Sequence, residues 1–421
     1  MASKPELLAP AGGFEQLEYA IRFGADAVYL ASERFGMRAR ACNFPLSDIP
    51  RVVEYAHAHN VKVHVTCNIV MHEADIAALP AYFEALQAAG VDAVIVGDLG
   101  ALRLARKYAP DVAVHVSTQA SVSNAQAALV WHELGANRIV CAREMSLESI
   151  AAMKKQLPSE LELEAFAHGA MCMAYSGRCL ISDFTCGRSA LEGNCAQSCR
   201  WSYELVEEKR PGEYYTVEQD DHGSYLLNAQ DLNMLAHLDA MAAAGIDSIK
   251  IEGRNKKAYY VACVVNAYRQ VLDGADPTDF ASELEYVSHR PYSTGFFFGP
   301  AHQTHGSVDY VRTTEWAAQA LSCEQLEDGS YRAEVRCRNR FALANRFEVL
   351  SPGKPVCALH MSSIEHIAAS RAEILSANTK EGWAPDETED TNTAVANHTN
   401  ERYIITCDTA LDEGDIIRVF R

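Results

Sequence analysis

Apolar positions along this chain keep two rhythms. Short apolar runs, rich in β-branched residues, read ELLAP (6–10), AVYLA (27–31), KVHVTC (62–67) and AVIVGD (93–98). AVHVST (113–118), RIVCAR (138–143), ELEAFAHG (162–169) and SIKIEG (248–253) follow. Runs of this kind suit parallel strands covered on both faces. Between them, stretches 14–23, 75–89 and 124–134 carry apolar residues at helical spacing. Gly24, Gly90, Gly135 and Gly245 close such stretches just before the next run, as helix C-caps do. Eight β–α alternations predict an α/β fold, a (β/α)8 TIM-like barrel. A doubly wound open sheet is the alternative. No GxGxxG follows the first run, which weighs against a dinucleotide-binding sheet.

The alternation breaks once, between ELEAFAHG and SIKIEG. An insertion after a barrel strand lies at the C-terminal face, where barrel active sites form. The sequence thus predicts a barrel over 1–275, with a cysteine-rich insertion after strand 7 at about 170–228. A helix is expected over 256–272 and a linker over 276–310. From 311 to 421 the rhythm becomes short alternating strands (YRAEVRCRN, NRFEVLSPG, ERYIITC, DIIRVFR). That pattern predicts a small C-terminal all-β barrel domain.

Composition narrows the class. The 421 residues are 48% hydrophobic and 22% charged, as in ordinary globular proteins. No apolar run reaches the roughly 18 residues of a membrane span, and the N-terminus shows no signal core. A cytoplasmic protein without membrane contact is expected. The net charge of −19 weighs against broad, non-specific nucleic-acid binding. It leaves room for a local basic groove, or for a protein partner or homo-oligomer that supplies one.

Five of the 13 cysteines fall between Gly169 and Tyr203. Four are spaced Cys172-x6-Cys179-x15-Cys195-x3-Cys199, with Cys186 inside the long gap. In a reducing compartment clustered thiols point to metal binding or catalysis rather than cross-links. Soft thiolates select zinc or an iron–sulfur cluster. Only Cys195 and Cys199 have the close pairing usual in structural zinc sites. The wider first spacing suits a 4Fe–4S cluster better. Packing is the alternative role of these thiols, and the expected one for isolated Cys67, Cys141 and Cys263.

The segment EAFAHGAMCMAYSGRC (164–179) resembles the signature of the collagenase-like peptidase family U32. Within it, LLAPAG, GADAVYL, STQASVSN, GNCAQSCRWSY, RPGEYY, DHGSYLLNAQDL and SIKIEGRNKKAYY resemble, in order, blocks of a subfamily concerned with tRNA hydroxylation. The resemblance spans essentially the whole chain. It implies prephenate-dependent formation of 5-hydroxyuridine at the wobble position of tRNA. Relatives acting on rRNA cytidine or a ubiquinone precursor make those the alternative substrates. It also implies a 4Fe–4S cluster, with Cys172, Cys179, Cys195 and Cys199 at the ligand positions and Cys186 outside the pattern. Where many relatives carry KDLC, this chain reads QDLN, with Asn233 in place of the cysteine. The chain is shorter than such relatives between Tyr203 and Arg210. Neither HExxH nor GxSxG occurs, so a peptidase mechanism lacks its usual motifs. A zinc-stabilised binding module is the non-enzymatic alternative.

Hydroxylation of a pyrimidine needs polar groups at the barrel mouth. Gln119, Arg143, Glu144 and Glu252 follow strand ends and are the catalytic candidates. Asn68 and Arg254, with Arg38 and Arg40 of MRARACN, are the substrate-binding candidates, the arginines because prephenate carries two carboxylates. Asp98 and His168 also follow or end strands, His168 four residues before Cys172. Each of these residues is equally suited to a hydrogen-bonded or ion-paired cap of the barrel end. Trp201, Tyr203, Tyr214 and Tyr215 are candidates for base stacking or for packing beneath the insertion. Lys154, Lys155, Arg200, Lys256 and Lys257 are candidates for phosphate contact or plain solvation.

Overall fold

A computed structural model of the chain describes residues 4–37, 43–172, 179, 181–200, 204–206, 214–216, 228–299, 301, 303–304, 311–367 and 394–421. It divides into two compact units, Met1–Leu284 with Ser288–Val311, and Glu285–Val287 with Arg312–Arg421.

Eight strands build the first unit: β1 (Glu6–Pro10), β2 (Ala27–Ala31), β3 (Lys62–Cys67), β4 (Ala93–Val96), β5 (Ala113–Val116), β6 (Arg138–Val140), β7 (Glu162–Ala170) and β8 (Ser248–Ile251). Each runs parallel to the next, and β8 pairs with both β7 and β1, which closes the ring. The closing registers are Ser248↔Glu164 on one side and Glu6↔Ser248 on the other. This is the barrel that the eight apolar runs predict. Val63, Val65, Val94 and Val114 are fully buried, which accounts for the β-branched run composition. Helices Phe14–Arg22, Glu73–Ala88, Ala125–Glu133 and Ala258–Leu272 lie where helical spacing was read, give or take two residues. Their starts are set by side-chain caps where present: Asn124 accepts the Ala127 N–H, and Asp98 accepts the Ala101 N–H for helix Leu99–Tyr108. Gly24 and Gly135 hold φ of +99° and +104° at helix ends, a region that disfavours a Cβ.

The barrel interior is charged where a branched apolar stack is usual. Glu164 is fully buried. Its Oε1 accepts a hydrogen bond from Lys250 Nζ at 2.7 Å, and its Oε2 faces Arg138 Nη1 at 3.2 Å. Arg138 also pairs with Glu6 and Glu162, each at 2.6 Å. Burial alone raises a carboxyl pKa, but Lys250 and Arg138 outweigh it and hold Glu164 below the usual carboxylate range. Against the same burial, Arg138 brings Glu6 down to about 2. His64 and His115 meet edge to face at 4.8 Å in this interior. Burial keeps both neutral, with His64 pushed down to about 4.

The insertion after β7 returns along it. Strand Asp231–Asn233 pairs antiparallel with the end of β7, at Asp231↔Ala170 and Asn233↔His168. The stretch 276–310, expected as a linker, carries helix Pro277–Tyr286 and strand Tyr292–Ser293, which pairs with Asp231–Leu232. Among the described residues no helix is long and apolar enough to cross a membrane.

In the second unit seven antiparallel strands form one sheet, in the order Cys357–Leu359, Phe347–Leu350, Ile416–Phe420, Thr314–Gln325, Tyr331–Cys337, Arg402–Cys407 and Met361–His366. Register shifts within Thr314–Gln325 mark bulges, which bend the sheet into a half-barrel around Val335, Phe341, Phe347, Tyr403, Ile405 and Ile417. Its two edge strands are joined through His360 alone.

Removing Glu164 leaves two buried cations uncompensated. Glu164→Ala is expected to lower unfolding free energy by about 3–5 kcal/mol, whereas Glu164→Leu with Lys250→Met recovers much of it; urea denaturation reads both. The folded pKa of His64 lies below its ordinary 6.5, so the unfolded chain takes up a proton that the folded chain refuses. Stability therefore falls as pH drops from about 6.5 towards 4, by about 3 kcal/mol for this group alone. Urea midpoints at pH 7 and pH 5 measure the slope, and His64→Gln should flatten it.

Candidate functional site

The C-terminal ends of the strands and the insertion enclose a cavity of about 1160 Å3, part of it continuous with solvent. Strand ends contribute Asn68, Ser117, Gln119, Arg143, Glu252 and Arg254. The barrel interior contributes Tyr29, Phe166 and Lys250. Cys172, Cys179, Cys195 and Cys199 line the same space from the insertion, together with Gln197.

The polar groups of the mouth are held by one another and by the backbone. Arg143 stacks over the Phe166 ring with its guanidinium carbon 3.7 Å from the centroid. It donates to the Ala170 carbonyl at 2.8 Å and faces Glu252 Oε2 at 3.9 Å. Tyr29 OH lies 3.4 Å from the same Glu252 oxygen. Arg254 is buried, with Nη1 3.4 Å from Thr66 Oγ1. Asn68 donates to Ser117 Oγ at 3.0 Å and accepts the Met37 N–H at 3.1 Å. The Gln119 N–H donates to the same Ser117 hydroxyl at 3.3 Å. Two guanidinium groups, one carboxylate and two amides thus face one space above a buried Lys250.

The thiols have their own donors. The Gln197 N–H donates to Cys195 Sγ at 3.3 Å, and Gln197 itself holds a φ of +58°. Arg188 fixes the same turn by donating to the Cys195 carbonyl at 3.2 Å. At Cys179 burial raises the thiol pKa, the Ile181 N–H opposes this, and Cys172 and Cys195 lie close enough to raise it further. N–H donors of this kind stabilise a ligated thiolate. Among the described residues no three His, Cys, Asp or Glu side chains converge tightly enough to hold a single metal ion. Cys186 lies apart from the cavity lining and donates to the Ser182 carbonyl at 3.1 Å.

Several expected residues sit elsewhere. Glu144 does not line the cavity, because successive residues of the turn after β6 face different sides and Arg143 takes the inward one. Asp98 is spent on the helix cap. His168 packs among Tyr260, Tyr268 and Tyr292 outside the lining, and burial drives its pKa down to about 3. Asn233 accepts the Leu235 N–H and is not at the cavity either. Lys154 is paired with Asp247 at 2.6 Å and Lys256 donates to the Ser288 carbonyl, so neither is a free phosphate contact. Arg38 and Arg40, and the side chains of Arg200, Trp201, Tyr203, Tyr214 and Tyr215, lie outside the described residues. Lys250, Tyr29, Phe166 and Gln197 were not foreseen. Lys250 had a signal, being a lone cation within the apolar run SIKIEG.

Fold and cavity together define a TIM-like barrel whose mouth brings clustered thiols to guanidinium groups. The chain belongs to Peptidase family U32: that family matches residues 12–307, and the Peptidase family U32 C-terminal domain matches 319–418. It is 37% identical over 361 residues to "tRNA hydroxylation protein P1" of Bacillus subtilis (strain 168), covering 84% of this chain and 85% of that one. It is 31% identical over 429 residues to "tRNA hydroxylation protein P" of Escherichia coli (strain K12), covering 91% and 94%. Similarity to the Escherichia coli "23S rRNA 5-hydroxycytidine C2501 synthase" is 38% over 308 residues, 72% of this chain and 45% of that one. A solved U32 peptidase overlays with a TM-score of 0.40 at 16% identity, covering 60% of this chain and 95% of the other.

One close approach ties the first βα turn to the site. A Cβ on Gly12 would stand 2.1 Å from the Arg254 carbonyl oxygen. Gly12→Ala must shift the Arg254 backbone, and is expected to lower stability by about 1–3 kcal/mol. Thermal melts check this, with Gly90→Ala, whose nearest contact is an ordinary 3.8 Å, separating crowding from the strain of its positive φ.

Proposed function

We propose that the protein hydroxylates the wobble uridine of tRNA to 5-hydroxyuridine in a prephenate-dependent reaction, with a 4Fe–4S cluster on Cys172, Cys179, Cys195 and Cys199. The reading rests above all on 31–37% identity, over most of both chains, to proteins named for tRNA hydroxylation. Four thiols lining one cavity, with the Gln197 N–H donating to Cys195 Sγ, form the soft donor set that such a cluster takes. When bound, such a cluster supplies one-electron chemistry.

The chain's own residues bind and orient. Arg143 and Arg254 pair with the prephenate carboxylates, for which a planar guanidinium is suited. Glu252 keeps Arg143 aimed. The Asn68 and Gln119 amides donate to and accept from the edge of an extruded pyrimidine. This work on tRNA belongs in the cytoplasm. Similarity to the rRNA hydroxycytidine synthase supports rRNA cytidine as the second reading.

Gene deletion followed by mass spectrometry of nucleosides tests the reading. Loss of 5-hydroxyuridine derivatives from tRNA is expected. Their persistence would sink it, and loss of 5-hydroxycytidine from 23S rRNA would move the assignment there. On complementation, Cys195→Ser should restore at most about a hundredth of the product, whereas Cys186→Ser should restore it fully.

A further inference from the structure

The second unit carries an arginine cluster, two members of which its described fold leaves without a hydrogen bond or ion pair. Arg336, Arg338 and Arg340 fall within five residues, in a chain with 37 basic and 56 acidic side chains. In so acidic a chain, arginines ordinarily find carboxylates. Arg332, Arg346 and Arg402 do so, on Glu324, Glu348 and Glu334. Arg336 and Arg340 make no side-chain hydrogen bond or ion pair among the described residues. Arg336 also stands directly opposite Arg402 across the ladder. Like charges facing each other destabilise a sheet, so this placement works against the fold.

The neighbouring geometry prepares the cluster for a ligand. Arg336 and Arg338 point away from the core, since Cys337 between them is buried in it. Arg338 lies over the Trp316 ring at 4.3 Å and donates to Asn400 Oδ1 at 3.4 Å. Asn339 donates to the Trp316 carbonyl at 2.8 Å, which fixes the turn. Arg336 lies on the strand Tyr331–Cys337, and Arg338 and Arg340 continue into the turn that follows it. Guanidinium groups match phosphate oxygens bidentately.

We propose that the face around Arg336, Arg338 and Arg340 docks the phosphate backbone of the substrate RNA. It gives a chain of net charge −19 a local basic face for a polyanion.

The proposal rests on an RNA substrate, and the test separates the two. Fluorescence anisotropy of labelled tRNA is measured against the full chain across a salt series. The Arg336→Ala/Arg338→Ala/Arg340→Ala variant should bind at least tenfold more weakly. Its slope of log K against log salt should flatten by about 2, near the 0.7–0.9 lost per phosphate contact. Arg332→Ala/Arg346→Ala, which removes paired arginines of the same unit, should bind like wild type. If melts show the triple variant unfolded, Arg336→Gln/Arg340→Gln, which breaks no hydrogen bond, ion pair or ring contact among the described residues, should still flatten the slope by more than 1. Unchanged affinity and slope would overturn this proposal alone. Wild-type protein that binds no tRNA would overturn the RNA reading with it. Loss of binding to poly-glutamate, with tRNA binding intact, would overturn it in favour of an acidic protein partner.

Discussion

The carboxylate of Glu164 sits at the centre of the barrel with no access to water, held between Lys250 and Arg138. Through Arg138 it reaches Glu6, so one ionic network spans β6, β7, β8 and β1, the strands on either side of the closing seam. A buried ion pair adds little net stability over an apolar packing. What it does add here is register. A one-residue slip of β8 would turn Lys250 outward and take from buried Glu164 one of its two cations. The cavity above inherits that precision, because Lys250 and Glu252 lie on one strand and its immediate extension.

On this fixed base the mouth combines two chemistries from different parts of the chain. Strand ends deliver guanidinium, carboxylate and amide groups already engaged with one another. The insertion delivers thiols from two arms, Cys172 and Cys179 near β7 and Cys195 and Cys199 beyond the short helix Ile181–Cys186. The turn that brings the Gln197 N–H to Cys195 sulfur passes through a left-handed Gln197. Such strain in a non-glycine residue persists where the surroundings enforce it, here through the Arg188 bonds.

Much of this was legible in the sequence. The eight barrel strands stood out because residues buried on both faces leave unbroken apolar runs. The helix ends stood out because glycine marks positive φ. Legibility failed where sequence and environment disagree. Strand Thr314–Gln325 escaped notice because three of its five buried positions are alanines, which carry little strand signal. The ionic interior escaped because Glu164 and Lys250 read as exposed charges until their strands face each other across the barrel. At the site, Asn68, Gln119, Arg143, Glu252 and Arg254, read from strand-end position, line the cavity, but that position could not separate Arg143 from Glu144, since the turn alone decides which points inward. The four cysteines were found by spacing, and Cys186 was set apart by the family pattern rather than by any local feature.

The strand that completes the ring is also the one reached last. β8 follows the whole of the insertion and pairs with β1, more than half the chain away. During synthesis all four thiols have left the ribosome before Lys250, Glu252 and Arg254 exist to complete the enclosure. Contacts of such long sequence separation form late. The thiol side of the cavity is thus exposed to the surroundings through an interval in which Lys250, Glu252 and Arg254 are missing, and closure of the barrel is the event that turns an open cluster of thiols into an enclosed chamber.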